Sequence, residues 1–154
     1  MKKKLFLKQL EYDVWANNKI IEVIFNADEM LEGNRPYEIL SHLICTPKIW
    51  LMRALDKTTN LKSWGNLKLI DCFELSNENH EDWKKFILSK TDKELEQHFN
   101  FSFKGNESKI SIEDLLIHLV NHSSYHRGQI ILLLKGKIEP LPLTTYIAFA
   151  AIKV

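Results

Sequence analysis

The chain has 154 residues, 45% of them hydrophobic and 27% charged, with 21 Lys+Arg against 20 Asp+Glu. A chain of this length buries roughly 70% of its unfolded surface in one core, so it needs neither disulfides nor a structural metal to fold, and it reads as one domain over 1–154. A formal charge of +1 with scattered lysines excludes the electrostatic footprint of a nucleic-acid binder.

Met1 to Lys4 is basic, but the apolar run behind it is broken by Lys8, Glu11 and Asp13, so neither an export signal nor a membrane span is expected. Cys45 and Cys72 lack CxxC spacing and are expected as buried free thiols in a cytoplasmic protein. Five glycines and four prolines punctuate the chain, and the apolar residues between them recur at three and four positions, the helical period. The first helix is predicted over Leu5 to Phe25, with Leu10, Val14, Ile21 and Ile24 on one face and Asn17 as a polar intruder that must find a partner there. A loop through Asp28 and Gly33 leads to a second helix from Pro36 to Lys57, with a kink expected at Pro47. A polar linker over Thr58 to Asp71 follows. Ser76 is read as the cap of a third helix from Asn77 to Lys90, and Thr91-Asp92 as a break before a short continuation toward His98.

Phe99-Asn100-Phe101-Ser102-Phe103 alternates apolar and polar residues ahead of Gly105-Asn106, which predicts a small β-hairpin. Ser111 with Asp114 opens the strongest helix, Ile112 to Lys135, which Gly136 stops. Pro140 and Pro142 lead into an apolar tail, Thr144 to Ile152. The expected fold class is all-α: a four-helix bundle with a hairpin before the last long helix.

Three of six histidines, His118, His122 and His126, recur every four residues on that helix. Neighbours at this spacing are displaced by about 6 Å along the axis and about 40° around it, so an adjacent pair can chelate one ion while the outer two, about 12 Å apart, cannot easily share it. With the apolar stripe drawn through Leu115, Leu119, Ile130 and Leu133, His122 and His126 fall within about 20° of its centre and His118 about 60° off, which selects His122 and His126 as the buried pair. Two adjacent core imidazoles have four ring nitrogens to satisfy, and a metal ion resolves that demand. The long apolar second helix offers His42 as the leading third ligand, whereas His80 reads as a solvated helix start and His98 as a helix end. Three histidines without a fixed fourth ligand leave a position for substrate, the open geometry of catalytic sites.

Asn121-His122-Ser123-Ser124-Tyr125-His126-Arg127-Gly128-Gln129-Ile130 resembles the NHxxYHRGQ signature of the DinB/YfiT-like superfamily. Trp15-Ala16-Asn17, Ser41-His42-Leu43 with Trp50, and His118 agree with that family in order along the chain, and Pro47 departs from its pattern. The resemblance implies a four-helix bundle, commonly a homodimer, that binds one divalent metal through His42, His122 and His126. Members similar to it include S-transferases and isomerases that use bacillithiol, mycothiol or glutathione.

The leading functional expectation is therefore a metal-dependent enzyme that transfers a low-molecular-weight thiol to an electrophilic small molecule, with Zn or Ni as the foremost ions and Fe or Mn as alternatives. A metal-dependent hydrolase, or a non-enzymatic metal-binding stress or interaction protein, is the rival expectation. Neither nucleic acid nor membrane is expected as a partner. No residue is assigned a catalytic role: Cys45 reads as a buried apolar residue, Tyr125 and Arg127 as packing or surface-pairing residues, and Gln129 as one that could face the site.

Overall fold

The computed structural model describes residues 2–27 and 35–151. Among these, six helices and one hairpin occur in the order α1 (Lys2–Asn26), α2 (Arg35–Ala54), α3 (Leu69–Ser89), α4 (Asp92–Leu95), β1 (His98–Phe103), β2 (Asn106–Ser111), α5 (Ile112–Leu134) and α6 (Tyr146–Ala150). The loop predicted through Asp28 and Gly33, and the end of the tail at Ile152, lie outside the described residues. No described helix is long and apolar enough to cross a membrane.

The four long helices form a bundle whose core is split along its length. One apolar cluster joins Phe6 and Leu10 of α1, Leu51 of α2, Trp83, Phe86 and Ile87 of α3, and Leu115, Leu116 and Leu119 of α5. The other joins Ile20, Ile21 and Ile24 of α1, Ile39, Leu40, Leu43 and Ile44 of α2, Cys72 of α3, and Ile130 and Leu134 of α5. The first cluster takes the N-terminal parts of α1 and α5 but the C-terminal parts of α2 and α3, so the helices run up, down, down, up. Because α2 and α3 point the same way, the connection 55–68 must travel back along the bundle, about 30 Å for a helix of twenty residues. The residues between the two clusters are polar: Asp13 and Asn17 on α1, His42 and Thr46 on α2, Ser76 and Asn79 on α3, Ser123, His126 and Arg127 on α5.

The predicted hairpin is present, His98 pairing with Ser111 and Phe103 with Asn106. Lys104 (φ 50) and Gly105 (φ +80) form its two-residue turn, the double left-handed geometry that matches strand twist. His98 thus opens a strand and does not end a helix; Thr91, with Glu94 in a reciprocal capping box, starts only the short α4. Ser111 caps α5, its oxygen accepting from the Asp114 amide at 3.1 Å, and Gly136 at φ +77 follows the helix end.

The start of one helix differs from expectation. Helix α3 starts at Leu69, seven residues before the expected cap, and Ser76 lies buried within it. Its inward positions include Ser76 and Asn79, so the apolar period that marks a helix was interrupted by residues that face the polar layer. Helix α2 continues through Pro47. A proline there removes the donor to the Leu43 carbonyl and crowds the preceding turn; beside it α3 donates to two carbonyls of α2, Asn79 Nδ2 to Ile44 at 2.9 Å and the Trp83 indole to Pro47 at 3.1 Å.

Candidate metal centre

The site lies in the polar layer, between α2 and α5. On α5 the inward residues are Ile112, Leu115, Leu116, Leu119, Ser123, His126, Arg127, Ile130 and Leu134, a line centred near Ser123 and Ile130. His126 therefore lies toward one edge of the buried face, His122 further round and half-buried, and His118 is exposed. This corrects the wheel, which leaned on the half-buried Leu133 because Ser123 and Arg127 are polar by type. The order of the three histidines survives the correction: His126 is buried as expected, His122 is half-buried, and His118 moves from the rim to the exposed side.

His42 comes from the facing turn of α2. Its nitrogen and those of His122 and His126 lie within 4.8 Å of one another, a group that could hold a metal ion, and it is the one such group of His, Cys, Asp and Glu among the described residues. His80, His98, His118 and Cys45 do not join it.

The donor set fits a divalent cation. The Ser63 carbonyl lies 2.7 Å from His42 Nδ1 and can only accept, so Nδ1 carries the proton and Nε2 keeps its lone pair. With the Gln129 Oε1 placed 2.8 Å from His126 Nδ1, that ring donates to it from Nδ1 and keeps its Nε2 lone pair. His42 Nε2 and His122 Nε2 face each other at 3.0 Å, an approach that a shared cation or a proton on one of them stabilises. All three rings meet near edge-on, with centroids 4.4 to 4.9 Å apart.

Burial lowers the pKa of His42, against the Ser63 carbonyl, which raises it. Burial, then the neighbouring His126, His42 and His118, pushes His122 down to about 3. The rings at 42 and 122 are therefore held neutral near pH 7, the form that binds metal.

Connection 55–68 explains one wall. Ser41 on α2 donates to the Gly65 carbonyl and accepts from the Leu67 amide, while the Tyr37 hydroxyl donates to the Leu67 carbonyl. These anchors lay Trp64 flat on His42, centroids 3.9 Å apart and planes within 1°, and edge-on to His126 at 6.1 Å. The Arg35 guanidinium in turn lies 5.0 Å from the Trp64 centroid. On the other flank His118 stands 5.6 Å from His122 and 6.1 Å from Trp50, which meets Phe101 of the hairpin at 5.0 Å.

The model of the DinB family matches residues 1–140. The chain belongs to the DinB family. No curated protein matches it.

In this DinB-family chain the signature segment has a second job. Arg127, read from sequence as a packing or surface-pairing residue, is buried to 1% exposure. Its Nη1 donates to Asp13 Oδ1 at 2.6 Å and to Asn17 Oδ1 at 2.7 Å, and its Nη2 to Ser124 Oγ at 3.0 Å. Asn17 and Ser123 both donate to Asp13 Oδ2. Burial pushes the Asp13 carboxyl up, and the guanidinium, Ser123 and Asn17 pull it back. Asn17 thus finds its partner across the bundle, as a buried amide in an apolar stripe requires. Ser63 and Trp64 were not legible as site residues; the one signal was the lone aromatic residue in the linker 58–71.

Proposed function

We propose that this DinB-family protein binds one divalent metal ion through His42, His122 and His126 and uses it to transfer a low-molecular-weight thiol to an electrophilic small molecule. The observation that carries this reading is the convergence of three imidazoles between α2 and α5, with no fourth protein ligand in their group among the described residues. A site built for folding alone tends to be closed by four ligands, and an open position suits an exogenous one. When bound there, the ion supplies a Lewis acid that lowers the pKa of a thiol and so raises its nucleophilicity. Imidazole donors suit Zn and Ni foremost, with Fe or Mn as alternatives.

The chain's own residues do the rest. Ser63 and Gln129 hold their histidines in the Nδ1–H form, and Trp64 covers the His42 ring and keeps water from that side. No protein thiol competes: burial raises Cys45, and burial with Cys45 and Asp71 raises Cys72 to about 12, so neither offers a thiolate.

The test is elemental analysis paired with a thiol-consumption assay against a halogenated nitrobenzene, across bacillithiol, mycothiol, glutathione and coenzyme A. The expected result is one metal per chain, lost in His122→Ala and His126→Ala and retained in His118→Ala, with turnover that requires metal and survives Cys45→Ala/Cys72→Ala. Turnover that persists without metal but vanishes in the double-cysteine variant would overturn the mechanism.

A further inference from the structure

The polar layer holds a second site, separate from the histidine group. All four long helices line a cavity of about 30 Å³, taken as the space open to the centre of a water molecule: Asp13 and Asn17 of α1, Ile44 and Pro47 of α2, Ser76, Asn79 and His80 of α3, and Val120 of α5 are among its walls. Three of these carry buried polar atoms with no hydrogen-bond partner, Ser76 Oγ, Asn79 Oδ1 and His80 Nδ1. Ser76 is 3% and Asn79 6% exposed. The orientation of Asn79 is fixed independently, because its Nδ2 donates to the Ile44 carbonyl and a flipped amide would set oxygen against oxygen. Its Oδ1 is thus the atom without a partner.

Left unpartnered, each such group pays its full desolvation cost, and native interiors rarely tolerate three together. Their chemistry is complementary to one small molecule that both donates and accepts. Asn79 Oδ1 only accepts, the Ser76 hydroxyl does both, and the His80 Nδ1 does either according to tautomer. Asp13 adds a further acceptor position: its carboxylate has about four lone-pair sites and receives three donors, from Arg127, Asn17 and Ser123. A metal cation is disfavoured by the Arg127 guanidinium already on that carboxylate. An organic ligand is excluded by size, since roughly 10–15 Å³ on this measure holds a single water.

We propose that this is a hydrated internal site, in which one or two ordered water molecules bridge Ser76, Asn79 and His80 of α3 to one another and to the Asp13–Arg127 pair. The water joins α3, which gives no residue to the histidine group, to α1 and α5, the helices of the Asp13–Arg127 pair. It also explains why α3 places serine and asparagine where a bundle interior ordinarily has leucine.

The test uses the full chain. A high-resolution crystal structure is expected to show solvent density 2.7–3.2 Å from at least two of the three atoms, and oxygen-17 relaxation dispersion is expected to count one or two long-lived waters. Val120→Ile adds one methyl group to the wall and is expected to remove that dispersion and lower the Tm, with metal content unchanged. A cavity without density, side chains paired directly with one another, absent dispersion, or a Tm raised by Val120→Ile, as when a dry void is filled, each overturns the proposal.

Discussion

Replacing Asp13 with alanine tests the idea that the bundle is braced by a buried ion pair. The Arg127 side chain is 2% exposed and that of Asp13 14%, and their closest atoms are 2.6 Å apart. Removing the carboxylate strands a guanidinium that cannot lose its proton, and takes away the acceptor shared by Asn17 and Ser123. Breaking one side of a buried pair costs about 3–5 kcal/mol. A domain of this size shifts by roughly 2–4 °C per kcal/mol, so the Tm should fall by about 6–20 °C. Glu113→Ala supplies the surface reference: its pair with Lys2 has side-chain exposures of 27% and 43%, and such a solvent-screened pair contributes little. The assay is calorimetry on the two single variants and on Asp13→Leu/Arg127→Met, which removes both charges and should recover most of the loss. An Asp13→Ala variant no less stable than Glu113→Ala, or a double variant no more stable than Asp13→Ala, would refute the brace.

Gln129→Leu frees the His126 ring to take the other tautomer and should weaken metal affinity about 10–100-fold, read by competition with a coloured chelator, while the fold persists. The depressed His122 and His42 mean that the unfolded chain binds more protons than the folded one below their ordinary value of 6.5. Stability of the metal-free protein is therefore fully present above about pH 6.5 and is lost as pH falls toward 3, and His122→Gln should flatten that slope in denaturant titrations. Cys45 and Cys72, 1% and 0% exposed, should resist an aromatic disulfide reagent in the native protein and both react on unfolding; rapid native labelling of either would contradict the packing.

Legibility followed local chemistry. The hairpin was readable because alternation and a Gly-containing turn are short-range signals, and α5 because its cap and stop lie at its ends. The adjacent pair His122 and His126 was readable because spacing sets it, and the resemblance named the same pair together with His42. What stayed hidden depended on the partner helix. Ser76 looks like a cap until Asn79 and the cavity are seen beside it, and Arg127 looks like a surface residue until Asp13 is seen across the bundle. The up, down, down, up order was hidden for the same reason: it rests on which ends of the helices share a cluster, and no local signal in 55–68 reports that it carries a wall of the site.

The signature's two functions are linked by helix geometry. His122 and Ser123, and likewise His126 and Arg127, are adjacent residues about 100° apart, so α5 can turn one column toward α2 only by turning the other toward α1. The histidine column alone does not fix that rotation, because four-residue spacing looks the same from any direction. The Arg127 guanidinium does, through its bonds to Asp13 and Asn17 on α1. A rotation that brought His122 to the centre of the core would carry Arg127 away from the carboxylate and expose the pair's cost without its attraction. The brace therefore holds His122 half-buried and His126 at the edge of the buried face, where both meet His42. Arg127→Lys, which keeps the charge but loses the planar fork that reaches two acceptors at once, should accordingly weaken metal affinity in a preparation whose Tm shows that it is still folded. Equal stability with unchanged affinity would show that packing alone sets the rotation.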